Sequence, residues 1–505
     1  MKNNLHRIFS PYSPLLLVIL ILLIVGILIP LVLKFTWRQQ SNLNQIQIEN
    51  QLPGTTAWQL KDPAPFDTKT FRSPAIEGYG WTTSAEAGEV VNFSVSTTAS
   101  SFIADVYRLG WYQGKGGRLM QALPALPGHA YPLPRLDPQT GLVEARWPVA
   151  FTLKIGATWV SGIYMVKLTA SNGYQSYIPF VIRSSRPGNF AFIHAINTDE
   201  AYNYWGGASL YVDLTHTLKA KRAFKVSFDR PFEHDIGAGQ FFWWEYSMVH
   251  WLERRGYDIS YFSDVDMQNN LIAHQHYYAL LIVGHSEYWS MQMRNNLQAL
   301  IDRGMNVAVF GGNSIYWQIR YEPGQIGSQL ASERIIVCYK DKNADPLYGK
   351  DNSTVTVLFQ DPLVNRPEQP LLGSMYGGSL DLSQRGFPWV VADASRWVFA
   401  GTGLKDGNSL LGLVGSEYDK VDRSYPASPN LDILSASPVI NHLKQHDVAN
   451  ATLYTAPSGA RVFDAGTFQW SWGLDPSSSI NKTKVVSSSV KKITDNILEN
   501  FERGP

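Results

Sequence analysis

YALLIVGHSEYWSMQMRNNLQALIDRGMNVAVFGGNSIYW, residues 278–317, decides how the chain is read. Residues 279–283 form an apolar run of the length of a buried strand. Gly284, His285, Ser286 and Glu287 follow at once as a polar cluster. Ser290 stands where a helix N-cap belongs. Met293, Leu297, Leu300 and Ile301 recur at helical spacing, and Gly304 closes the helix. Residues 307–310 make a second strand, which ends in Gly311, Gly312 and Asn313. The unit is strand–helix–strand, with a crossover long enough to join parallel strands. Ligands of open α/β sheets sit beyond the carboxyl ends of the strands. The active site is therefore expected at these two polar clusters.

The same grammar extends upstream. Residues 190–196 read as an apolar strand that runs into Asn197, Thr198 and Asp199. Met248, Val249, Trp251 and Leu252 share one face of a helix over residues 245–255, which Gly256 stops. Residues 259–262 form the next strand, followed by Asp264 and Asp266. Four parallel strands would bring these polar ends to one edge of a doubly wound sheet. Downstream, residues 354–359, 396–400, 409–414 and 461–465 read as strands, with Glu417 just past the third. Val490, Ile493, Ile497 and Phe501 mark a closing helix.

Residues 57–184 read differently. Residues 90–96 alternate with period two, and Asn172-Gly173 is a hairpin turn signal between two strands. Short strands with Gly- and Pro-rich connections predict a β-sandwich. The glycine-rich stretch around Gly114 to Gly117 lacks the phosphate-cradling pattern and reads as a strand-to-strand loop.

Residues 15–33 are 19 apolar residues without a charge. They predict an uncleaved single-pass helix with the bilayer as partner. Basic residues flank it on both sides, and the globular part is expected outside the cytoplasm, as in a signal-anchor layout. The expected organisation is α/β plus all-β. An N-terminal transmembrane anchor (1–38) precedes a polar linker (39–56), a β-sandwich (57–184) and a doubly wound α/β domain (185–505).

The 505 residues carry a net charge of +1 and only 17% charged side chains, which argues against a nucleic-acid partner. Cys338 is the only cysteine, which excludes an intramolecular disulfide or a cysteine zinc site. It follows an apolar run and reads as a buried thiol. The 16 tryptophans read first as packing, and otherwise as an aromatic-lined pocket or a sugar-binding surface. The zincin, nucleophile-elbow and dinucleotide motifs are all absent from the sequence. What remains near the strand ends is oxygen-rich. A carboxylate with phenolates suits a hard, high-valent ion such as Fe(III) better than zinc. Glu287 stays open between metal ligand and helix-capping charge, Asn313 between cap and oxyanion donor, and His285 between catalytic and structural roles.

At these residues the sequence resembles the large (beta) subunit of N,N-dimethylformamidase. The resemblance runs through Glu77-Gly78-Tyr79, the stretch DVYRLGWY at 105–112, Ala201-Tyr202-Asn203-Tyr204, GHSEYW at 284–289 and Gly311-Gly312-Asn313. Gly415-Ser416-Glu417 and residues 465–470 extend it. It implies a β-sandwich followed by a glutamine amidotransferase-like α/β domain without the cysteine. It also implies a mononuclear iron (Fe3+) held by two tyrosines and a glutamate. Carried over by motif, Glu287 is the metal-binding glutamate, with Tyr202 and Tyr246 as the tyrosines and Tyr204 as a substitute for either. Asn313, Glu417 and His285 are the catalytic candidates. The implied activity is amide hydrolysis on a small amide or an envelope-derived substrate, in a possible homo-oligomer. The alternative is a non-catalytic envelope protein that binds glycan on the same fold.

Overall fold

The computed structural model describes residues 43–326, 329–381, 386–480 and 485–504. No helix among them is long and apolar enough to cross a membrane, and the expected span at 15–33 lies outside the described residues. The fold is mixed α/β, with many strands in several sheets and few helices.

The largest sheet has seven strands. Their order is Ile259–Ser263, Phe190–His194, Ala279–His285, Asn306–Gly312, Arg461–Asp464, Thr452–Thr455, Asp432–Ile433. The first five pair in parallel, and the last two join through antiparallel pairings. Strand periodicity splits the side chains between two cores. Phe190, Phe192, Leu281, Val283 and Phe310 pack with the helices Tyr246–Arg255 and Ser488–Phe501 on one face. Ile193, Leu280, Ile282, Val307 and Val309 pack with the helix Met291–Asp302 on the other. Buried on both faces, these strands read as continuous apolar runs, which is why they were legible.

The N-terminal part holds a three-stranded and a six-stranded sheet around one apolar core that includes Phe93, Phe151, Val166 and Phe180. Leu109, Ile163, Met165 and Val181 from the larger sheet join the core of the α/β part, so a continuous apolar seam links the two regions.

Several expectations are corrected. Residues 354–359 form no strand, with Thr354 ending a 3-10 turn and Leu358 making an isolated bridge to Trp317, and Trp397–Phe399 is a 3-10 turn as well. The polar linker expected at 39–56 contains a docked helix, Gln45–Asn50, with Ile46, Glu49 and Asn50 buried. Asn44 and Gln47 close a capping box at its start. Its polar residues satisfy buried partners rather than water, so low hydropathy concealed an anchored element. Trp205, Trp289, Trp389 and Trp470 are fully buried and serve packing. Cys338 is buried as well, and burial pushes its thiol up to about 11.

Candidate active site

Glu287 lies two residues past the strand Ala279–His285, at the carboxyl edge of the parallel sheet. Gly284 (φ +70) makes the exit possible, since a Cβ there would stand 2.4 Å from the Cβ of Trp244. Ser290 caps the following helix by accepting from Met293 N at 3.0 Å. The Glu287 carboxylate is thus left free of the capping role considered for it.

It is instead the meeting point of two tyrosines. Tyr202, at the end of the helix Ile196–Tyr202, donates its hydroxyl to Oε2 at 3.0 Å. Tyr211 donates to Oε1 at 2.8 Å and lies 2.9 Å from Oε2. The two rings stack at 4.3 Å. Thr198 Oγ1 accepts from Glu287 N at 2.9 Å, tying the same short helix to the strand exit. Tyr211 keeps 38% of its surface exposed, but its hydroxyl end is enclosed. Burial and the neighbouring Glu287 charge hold both phenols well above their ordinary value. Burial alone would raise the Glu287 carboxyl as well. Contact with His285 and the charge of Lys340 outweigh it, and the carboxyl is held low. Lys340 Nζ lies 3.4 Å from the centre of the Tyr211 ring. Burial brings its ammonium down to about 8, against the pull of Glu287.

Glu417 begins the strand Glu417–Lys420, after Ser416 in a left-handed conformation (φ 62). Its Oε2 accepts from Asn313 Nδ2 at 2.7 Å and its Oε1 from Ser379 Oγ at 3.1 Å. Asn313 is itself left-handed (φ 47), and its backbone N–H donates to Asp419 Oδ1 at 2.8 Å. His285 bridges the two carboxylates, with Nε2 3.2 Å from Glu287 Oε2 and 3.8 Å from Glu417 Oε2. Phe468 packs on its ring at 4.1 Å. Burial raises the Glu417 carboxyl. His285 opposes the rise and the Glu287 charge adds to it.

Glu287, Tyr202, His285, Asn313 and Glu417 therefore come together. Tyr246 does not join them: its hydroxyl donates to Gly116 O at 3.1 Å, in the seam between the two regions. It stands in the first turn of a helix that faces the core. Its neighbour Glu245 accepts from Ala195 N and meets His194 Nδ1 at 2.9 Å. Tyr204 packs on Phe66 and His234. Asp264 and Asp266 are likewise engaged elsewhere, with Asn197 N and with Ser84 and Ser263. The tyrosine that sequence reasoning missed is Tyr211. Ser209 Oγ accepts from Tyr211 N, and Asp213 from the N–H groups of Thr215 and Leu218. That density of turn-forming hydroxyls and carboxylates was the one available signal of an ordered loop.

Among the described residues no group of three or more His, Cys, Asp and Glu side chains is arranged to hold a metal. The donor set at Glu287 is of another kind, one carboxylate and two phenols. These all-oxygen donors fit a hard, high-valent cation.

A site of this composition, at the carboxyl edge of a parallel sheet covered by helices on both faces, defines an α/β protein with a cluster of oxygen donors at the sheet edge. The model of the family described as N,N-dimethylformamidase beta subunit-like, C-terminal, matches residues 103–484, and the chain belongs to that family. No curated protein matches the sequence.

Proposed function

We propose that this chain hydrolyses an amide C–N bond at a mononuclear ferric centre held by Glu287, Tyr202 and Tyr211. The observation that carries the reading is the convergence of two tyrosine hydroxyls on one buried carboxylate at a strand end. Membership of a dimethylformamidase-like family supports the same reaction class. Fe(III) bound there would supply Lewis acidity to the amide carbonyl and to water.

The other steps belong to the chain's own side chains. Glu417 takes a proton from the attacking water and delivers it to the leaving nitrogen, giving a carboxylic acid and an amine. The Asn313 amide and the Ser379 hydroxyl hold one oxygen each, which fixes the direction of the remaining lone pairs. His285 Nε2 sits between the two carboxylates, 3.2 Å from one and 3.8 Å from the other, where it can pass a proton between them.

The test is the iron content and visible spectrum of the purified protein. Stoichiometric iron with a tyrosinate-to-iron absorption is expected. It should be lost in Tyr202→Phe and Tyr211→Phe and kept in Tyr246→Phe. Folded but colourless, iron-free protein from iron-replete cells would overturn the reading.

A pH profile tests Glu417. As a base it must be ionised, and its raised pKa places the ionisation above the ordinary 4.5. The rate should therefore climb as pH rises through that higher value and fall below it. Glu417→Gln should remove this acid limb and reduce kcat by about 10²-fold or more. An unchanged limb in the variant would assign it to another group.

The same proposal takes residues 15–33 as a membrane tether for the body. Alkaline carbonate washing of membranes tests it, since a tethered chain stays with the pellet.

A further inference from the structure

We propose that the amide cleaved here carries a planar, uncharged aromatic ring seated against Trp243, a proposal that rests on the amide-hydrolase reading above. Tyr202, His285 and Glu417 line one end of a cleft of about 590 Å³. The cleft continues past Trp244 and Phe468 to Trp243. Five heavy atoms, the size of dimethylformamide, would fill roughly a quarter of it at ~30 Å³ of liquid per water-sized atom. A cleft of this volume suits a ligand several times larger.

The walls say what fills the remainder. Trp244 stacks on Trp472 at 5.4 Å and 11°, so one of its faces is already covered. Trp243 meets His234 at 78° and Trp244 at 87°, and no described ring lies parallel to it. Its backbone is held independently of any ligand. The Trp243 carbonyl accepts from Trp472 Nε1 at 2.8 Å and from Ser478 Oγ at 2.9 Å. Asp235 and Ile236, next to His234, are both left-handed (φ 44 and 54). For a β-branched residue that conformation is costly, and such strain persists where the surroundings enforce it. The result is a half-buried indole that lines the cleft with no ring stacked on it among the described residues, suited to offset stacking with a ligand ring.

Charge excludes the other ring-bearing ligands. Asp381 on the rim is paired with Lys444 at 2.5 Å, and Glu417 is held by Asn313 and Ser379. On the rim a cationic group would have to displace Lys444 from Asp381, and an anionic one would meet the carboxyl groups of Asp381 and Glu417. A neutral arene, on either the nitrogen or the acyl side, is the ligand that matches.

The experiment compares formanilide, benzamide and N,N-dimethylformamide on the detergent-solubilised full chain and on Trp243→Ala and Trp243→Phe. We expect one of the aryl amides to exceed dimethylformamide by about 10-fold or more in kcat/KM. Trp243→Ala should erase that preference by lowering kcat/KM for the aryl amide about 10-fold more than for dimethylformamide, while Trp243→Phe should keep most of it. Preference for dimethylformamide, or an equal loss on all substrates in both variants, would overturn the proposal. If no amide is turned over, the hydrolase reading is what fails. Calorimetric titration with formanilide and benzamide then decides the ring site by itself. Saturable binding that is weakened in Trp243→Ala upholds the ring site, and absence of binding to the unaltered protein overturns it.

Discussion

Exchanging Glu287 for alanine is expected to lower kcat/KM on any amide substrate by on the order of 10³-fold or more, with loss of bound iron. The size of the effect follows from how much converges on one carboxylate. Both oxygens accept phenol hydroxyls at 2.8 to 3.0 Å, and His285 stands 3.2 Å away. Alanine removes the only anionic oxygen donor that both tyrosines share, and leaves two phenols without their acceptor. The second consequence is a stability loss of about 1–3 kcal/mol for each hydroxyl that stays dry. Glu287→Gln separates the two effects. It keeps the volume and one acceptor oxygen but removes the charge, so the fold should change little while iron and activity are still lost. Tyr246→Phe is the matched control, because its hydroxyl serves only Gly116. Iron content, kcat/KM and melting temperature of the three variants check this together. Glu287→Gln with iron and near-normal turnover would sink the assignment.

The contrast between Tyr202 and Tyr211 shows where sequence reading works. Tyr202 was legible through the Ala201-Tyr202-Asn203-Tyr204 motif; the short helix that carries it, Ile196–Tyr202, follows a buried strand directly and shows no period of its own in the sequence. Tyr211 stands in an irregular loop that no period marks. Its place is set by Ser209, Asp213 and the stacking of Tyr202, contacts that exist only in three dimensions. Tyr246 misled for the converse reason. Its helix was legible, but an amphipathic pattern says which face is buried and not which residues lie beneath it. Asn313 and Glu417, 104 residues apart in the chain, were each legible as a polar residue after a strand. Their 2.7 Å contact was not, because it depends on the pairing of the short strands Met375–Ser379 and Glu417–Lys420. The central sheet was the most legible part, since strands buried on both faces need no partner's pattern to be recognised. The docked helix Gln45–Asn50 was the least, since it is held by polar residues that composition assigns to solvent.

That helix belongs to the network where a second substitution should have its largest effect on stability. Arg108 leaves the strand Ser101–Leu109 and is completely buried. It grips Glu253 of the helix Tyr246–Arg255 through two bonds, at 2.9 and 2.7 Å. Ser161 O and Tyr112 Oη take up its other donors. Glu253 also accepts from Asn50 at 2.9 Å and Tyr261 at 3.1 Å, and Glu49 from Tyr112 and Arg118. The N-terminal helix, the first region and the α/β part are thus closed onto one ion pair. Arg108→Met is expected to cost about 3–5 kcal/mol, because it strands a buried carboxylate. Arg108→Met combined with Glu253→Leu should cost less than the single change, since two desolvated charges leave together. Denaturant midpoints of the single and double variants measure this. A single variant within about 1 kcal/mol of the parent would show that water reaches Glu253. The expected loss should reach catalysis too. Glu253 lies on the helix that Glu245 precedes, and Glu245 holds Ala195 N, where the Tyr202 helix begins. A shift of that helix would move Tyr202 away from Glu287. Iron affinity should therefore fall in Arg108→Met, although Arg108 touches no part of the site.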